Sequence, residues 1–102
     1  MQIASNVAGN MATISLNGRF DFHSHRDFRA AYEKALDATD VREIEVNFTA
    51  VDYLDSSALG MLLLLREKAE AMGKKVVLSG LQGTVKQVLD IANFGKLFSV
   101  KA

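Results

Sequence analysis

Tyr53-Leu54-Asp55-Ser56-Ser57-Ala58-Leu59-Gly60 is the stretch that decides how the chain is read, because there a strand-like segment passes into a helical one through an acid followed by two hydroxyls. Asp55 is a good N-cap, and the helix it opens is predicted to run to about Met72, with Gly73 as its stop. The backbone amides of a first helical turn have no intrahelical partner. A phosphate on Ser56 would meet those N–H groups and the positive end of the helix dipole. In an arbitrary sequence Asp55, Ser56 and Ser57 would more often be plain capping residues, and local chemistry alone does not decide between the two readings. Leu62, Leu63, Leu64 and Leu65 follow as successive positions about 100° apart, so they surround the helix. Either some leucine is exposed as a contact patch, or neighbouring helices bury both sides.

Upstream of this stretch, Ile44, Val46 and Phe48 alternate with Glu43, Glu45 and Asn47, which predicts a strand with one polar face, followed by a loop up to Asp55. Phe28, Ala31, Tyr32, Ala35 and Leu36 form a helical stripe opposite Arg26, Arg29, Glu33, Lys34 and Asp37. Ser24 with Asp27 resembles a capping box for that helix. Ile3 to Val7 and Met11 to Leu16 flank Gly9-Asn10 as a hairpin that Asn17-Gly18 ends, leaving Arg19 to His25 as loop. Downstream, Lys74 to Ser79 reads as a buried strand, Val85, Val88, Leu89 and Ala92 as a third helix, and Leu97, Phe98 and Val100 as a last short strand or a loosely packed end. The order β-β-α-β-α-β-α(-β) implies an α/β chain with a mixed sheet and helices mainly on one side.

The 102 residues are 49% hydrophobic and 24% charged, with twelve basic residues against twelve acidic ones. A chain of this length buries about 60 to 68% of its unfolded surface, so one domain over residues 1–102 is expected. Electrical neutrality gives no reason to expect nucleic acid or an anionic membrane as partner. The absence of cysteine excludes disulfides, thiol catalysis and cysteine-held metals, and suits a cytoplasmic setting. No signal or transit peptide is visible from Met1 to Gly9, and the longest apolar run, Ala58 to Leu65, is far below the roughly 18 residues of a membrane span.

The chain resembles a bacterial anti-sigma factor antagonist, a stand-alone STAS domain. The resemblance rests on Asp55-Ser56-Ser57-Ala58-Leu59-Gly60, with support from Gly18-Arg19-Phe20-Asp21, Ile44 to Phe48, Gly73 before Val76-Val77-Leu78, and Val85-Lys86 with Leu89-Asp90. It implies the STAS fold and phosphorylation on Ser56, the first serine after the aspartate, with Ser57 supporting the helical turn. It also implies a partner switch. The unphosphorylated chain binds an anti-sigma factor, often a serine kinase with a histidine-kinase-like ATPase fold, and a PP2C-type phosphatase reverses the modification. The contact surface is expected to comprise Arg19, Phe20, Asp21, Phe22, His23, Asp52, Tyr53, Asp55, Ser56, Ser57, Ala58, Leu59, Gly60 and Leu63, on a chain acting as a monomer without cofactor. Ala58 departs from the family, many of whose members have glycine there, and its methyl is expected to narrow a kinase's approach to Ser56.

Rival chemistries are weaker. His23 and His25 with Asp21 lack the further ligands of a metal site. Asp52 and Asp55 do not match a receiver domain's acid pocket, and no Gly-x-Ser-x-Gly elbow accompanies Ser56. Enzyme activity is therefore not expected. Within the same fold, the alternative is a scaffold or accessory subunit of a membrane lipid-transport or stress-sensing complex.

Overall fold

A computed structural model describes residues 1–101. The chain runs β1 (Gln2–Ala8), β2 (Met11–Phe20), a 3₁₀ turn (Phe22–Ser24), α1 (His25–Asp37), β3 (Glu43–Leu54), α2 (Ser56–Ala71), β4 (Lys75–Ser79), α3 (Gly83–Ile91), a second 3₁₀ turn (Phe94–Lys96) and β5 (Ser99–Lys101). The sheet is mixed, in the order β1-β2-β3-β4-β5, with β1 antiparallel to β2 and every other neighbour parallel.

The hairpin turns at Gly9, whose φ is 60°, and only that residue of the Gly9-Asn10 pair takes a positive φ, as at the first central position of a type II′ turn. The three parallel connections each carry a helix. Ala12, Ile14 and Leu16, Ile44, Val46 and Phe48, and Val76 and Leu78 share one strand parity, and they form a single buried cluster with the inner faces of α1, α2 and α3. The helices therefore cover one face of the sheet. Phe20 and Phe28 meet with ring centroids 4.9 Å apart, and Phe94 and Phe98 close the cluster at the end of the chain. Phe98 is buried rather than loose.

The other face carries Thr13, Ser15, Glu43, Glu45 and Asn47, as the alternation predicts. Glu45 is nevertheless buried, and its carboxylate accepts a 2.7 Å hydrogen bond from the Ser79 hydroxyl while Lys101 Nζ lies 3.5 Å away. A carboxylate can stay on a sheet face at low exposure when it is paired in this way.

Three local expectations need correction. β2 does not end at Asn17-Gly18 but continues to Phe20, because Gly18 takes φ 104° and passes the strand through a register shift. β3 does not give way to a loop after Phe48. Ser15 pairs with Asn47 but Asn17 with Ala50, and Gly18 pairs with Val51 but Arg19 with Tyr53, so two extra residues sit in β3 as bulges. The helical turn after β2 is capped by Asp21, not by Ser24 with Asp27: Asp21 accepts from the His23 amide at 3.0 Å, and the Ser24 hydroxyl receives the Asp21 amide and donates to the Arg19 carbonyl. Ser24 itself makes no side-chain cap for α1.

Lys74 is 8% exposed, and its ammonium donates to the carbonyls of Leu36 and Ala38 at the C-terminus of α1. Those carbonyls are among the ones an α-helix leaves without intrahelical partners, and a cation there also meets the negative end of the dipole. Lys74→Met keeps the length of the side chain but strips both acceptors of their donor. It is expected to lower stability by about 2 kcal/mol, read as a lower urea midpoint at unchanged slope.

Candidate functional site

Two strand ends and two helix starts meet at one end of the sheet. The Asp55 amide donates to the Phe20 carbonyl at 3.3 Å, so the last residues of β2 and β3 leave the sheet side by side. Each is followed by an aspartate in extended backbone that caps what comes next: Asp21 for the 3₁₀ turn, Asp55 for α2. Asp55 accepts from the Ala58 amide at 3.1 Å, which fixes the first turn of α2 and with it the direction of Ser56 and Ser57.

Ser56 is exposed and Ser57 half-buried, and no acidic side chain lies within the first turn of the helix itself. The Ser56 hydroxyl thus stands in solvent at a helix N-terminus, where an added phosphate has room and a favourable dipole. Beside it, Arg19 stacks on Tyr53 with its guanidinium carbon 4.1 Å from the ring centroid and lies 3.6 Å from the Asp21 carboxylate. Asp52 is exposed. The end of the sheet therefore presents three carboxylates, Asp21, Asp52 and Asp55, against one guanidinium.

Apolar surface continues away from the serines. Phe22 is 67% exposed, and Leu63 and Leu64 are 40% and 44% exposed, while Leu62 and Leu65 are fully buried. Ser56, Gly60, Leu63, Leu64 and Glu67 follow one another at helical spacing on the outward side of α2. The neighbouring helices do not cover that side.

Of the fourteen residues expected at the contact surface, two are turned inward. Phe20 and Ala58 are both 0% exposed and belong to the core, so they hold the two strand ends and the first turn of α2 in place without reaching a partner. The inward direction of Ala58 also corrects the expectation that its methyl narrows access to Ser56: the methyl fills core. Leu59 and Asp55 are half-buried, and Arg19, Phe22, His23, Asp52, Tyr53, Ser56, Gly60 and Leu63 are at the surface. Leu64 belongs to the same surface and was missed. Its signal, the run of leucines around the helix, does not by itself say which members face out. His23 packs edge-on against Phe22 at 5.9 Å, and its backbone amide is held by Asp21.

A family described as "Mlab, STAS domain" matches residues 3–99. A STAS-domain containing protein of Pseudomonas aeruginosa (strain UCBPP-PA14) is 45% identical over 92 residues, which is 90% of this chain and 89% of that protein. Among solved structures, the anti-sigma factor antagonist SpoIIAA in its unphosphorylated form superposes with a TM-score of 0.77 at 24% identity, covering 99% of this chain and 88% of that one. A sulfate transporter family protein from Wolinella succinogenes gives 0.78 at 17% identity, covering 93% and 79%. At these identities the two structures establish likeness of fold.

Proposed function

The chain belongs to the STAS family, and on that premise we propose that it is an anti-sigma factor antagonist whose contact with its partner is governed by phosphorylation of Ser56. In the unphosphorylated form it binds an anti-sigma factor and frees the sigma factor. The observation that carries this reading is the position of Ser56: a solvent-facing hydroxyl in the first turn of α2, one turn from Gly60 and two from the exposed Leu63 and Leu64. The protein acts by binding, not by catalysis. The uncovered leucines, with Phe22 and Tyr53, supply the apolar centre that a protein contact needs, and Arg19, Asp21 and Asp52 supply its polar rim.

A phosphate adds roughly −1.5 to −2 charge among three carboxylates, so a partner docked there would have to strip water from a concentrated anion. The helix N-terminus holds the modified state without refolding, which suits a reversible mark written by a serine kinase and removed by a PP2C-type phosphatase. The modification is accordingly assigned to the exposed Ser56 over the half-buried Ser57.

A second reading, a scaffold or accessory subunit of a membrane lipid-transport or stress-sensing complex, has support in the likeness of fold to a sulfate transporter family protein. Affinity purification of the chain from its source cells, before and after treatment with a PP2C-type phosphatase, tests both. The switch expects an anti-sigma factor captured only by the dephosphorylated chain and a phosphopeptide that maps to Ser56. Capture of an ATPase and a permease, unaffected by the treatment, would establish the second reading instead.

A further inference from the structure

The two edges of the sheet are built differently. β5 is three residues long and ends on Lys101, both ordinary protections against unwanted strand pairing. β1 has neither. Its seven residues, Gln-Ile-Ala-Ser-Asn-Val-Ala, contain no charge and no proline, and it pairs with β2 in unbroken register from Gln2↔Asn17 to Ala8↔Met11, without a bulge. In a hairpin closed by a two-residue turn the closing pair is hydrogen-bonded and the pattern then alternates. Gln2, Ala4, Asn6 and Ala8 thus bond to β2, whereas Ile3, Ser5 and Val7 aim their N–H and C=O groups outward.

We infer that this edge pairs antiparallel with β1 of a second copy of the chain, about a two-fold axis at Ser5. The register is self-complementary: Ser5 meets Ser5, and Ile3 meets Val7 twice. All three residues are outward-bonding, and their side chains lie on the helix-covered face, opposite Leu16, Ile14 and Ala12. The two five-stranded sheets become one continuous sheet.

The helix beside the edge fits the same axis. α1 contacts both β1 and β2, so with strands about 4.8 Å apart the two copies of α1 would lie about 10 Å apart, an ordinary helix packing distance. A groove between β1 and α1, lined by Ser5, Val7, Ala31, Lys34, Ala35 and Ala38, opens to solvent at this edge, and the second helix would close it. Asp27, Ala31 and Lys34 fall on one stripe of α1, at i, i+4 and i+7, and Ala38, the residue that ends the helix, follows one turn on. Small residues at 31 and 38 permit close approach. In the antiparallel pair, with Ala31 near the axis, Lys34 of each copy faces Asp27 of the other. Neither side chain takes part in an ion pair among the described residues, although both are exposed.

The dimer differs from the monomer expected from the sequence, and it is independent of Ser56. Sedimentation equilibrium of the purified chain tests it. The wild type is expected to rise from 11.2 kDa toward twice that mass as its concentration approaches about 1 mM. Ser5→Pro removes only an outward-facing N–H, which an edge strand tolerates, and Lys34→Asp sets like charges together; both variants should stay at the monomer mass with unchanged circular dichroism. Asp27→Lys combined with Lys34→Asp restores the opposite-charge pairs and should restore association. A wild type that remains monomeric at that concentration, a dimer that survives Ser5→Pro and Lys34→Asp, or a double variant that fails to associate would overturn the inference.

Discussion

Ser56→Asp is expected to abolish capture of the anti-sigma partner, while Ser56→Ala retains it. The alanine variant keeps the cap, since Asp55 and not Ser56 receives the Ala58 amide, and it loses only an exposed hydroxyl. Aspartate brings a fourth carboxylate to an end of the sheet that already holds Asp21, Asp52 and Asp55. A partner seated on Gly60, Leu63 and Leu64 would bury that charge unpaired, and an unpaired charge in an interface costs about 2–5 kcal/mol, or from about 30-fold to several thousand-fold in affinity. Isothermal titration with the captured partner measures it. Equal affinity for the two variants would sink the switch. Because the helix N-terminus stabilises the new charge, the thermal midpoint of Ser56→Asp should stay at or slightly above that of the wild type, which separates lost binding from lost folding.

Gly80→Ala is expected to have the largest effect on stability. Gly80 sits at φ +68°, and a Cβ there would lie 2.7 Å from the Thr49 amide nitrogen and closer still to the Thr49 hydroxyl. That amide already donates to Asn47 Oδ1 at 2.8 Å, and the Gln82 side chain donates to the Thr49 carbonyl at 3.0 Å, so β3 cannot simply withdraw. Left-handed backbone costs roughly 1–2 kcal/mol for an L-residue, and displacing hydrogen-bonded backbone adds to it, for a total of about 3 kcal/mol or more. For a chain of this length the midpoint of thermal unfolding should fall by on the order of 15 °C. A midpoint within about 3 °C of the wild type would show that the loop after β4 adapts.

Much of this arrangement was legible in the sequence wherever the apolar period was regular. Ile44, Val46 and Phe48 alternate, and the helical stripes of α1 and α3 keep their spacing, so strands, helices and their order could be read directly. Legibility failed where the backbone departs from the ideal repeat. After Phe48 the inward residues of β3 are Val51 and Leu54, each three positions on, because a bulge precedes each of them. A step of three is not a strand signal, so the second half of β3 read as loop. Gly18 misled in the same way: glycine usually ends a strand, and here its positive φ carries β2 through a register shift.

At the site, the Asp55 cap and the exposure of Ser56 followed from short-range chemistry. The inward direction of Phe20 and Ala58 did not. Phe20 is placed by Phe28 and Phe48, and Ala58 by the core cluster it joins, both made of residues remote in sequence. Asp21 was likewise within the expected surface, but its capping role depends on a tight turn in which its carboxylate accepts from the His23 amide and the Ser24 hydroxyl accepts from its own amide. A loop reading of Arg19 to His25 contains no such turn.

The bulged half of β3 has a mechanical meaning. β4 pairs only with Glu43 to Asn47, whereas β2 accompanies β3 all the way to Leu54. Past Ala50 the sheet narrows to a two-stranded ribbon, because β1 accompanies β2 only as far as Asn17, and the Gln82 side chain reaches the Thr49 carbonyl where β4 has already ended. The tip that carries Tyr53, Asp55 and Ser56 therefore projects beyond β4 on two strands alone. Because Phe20, Val51, Leu54 and Ala58 seat it in the core, it is a fixed arm that presents the serine clear of the broad part of the sheet.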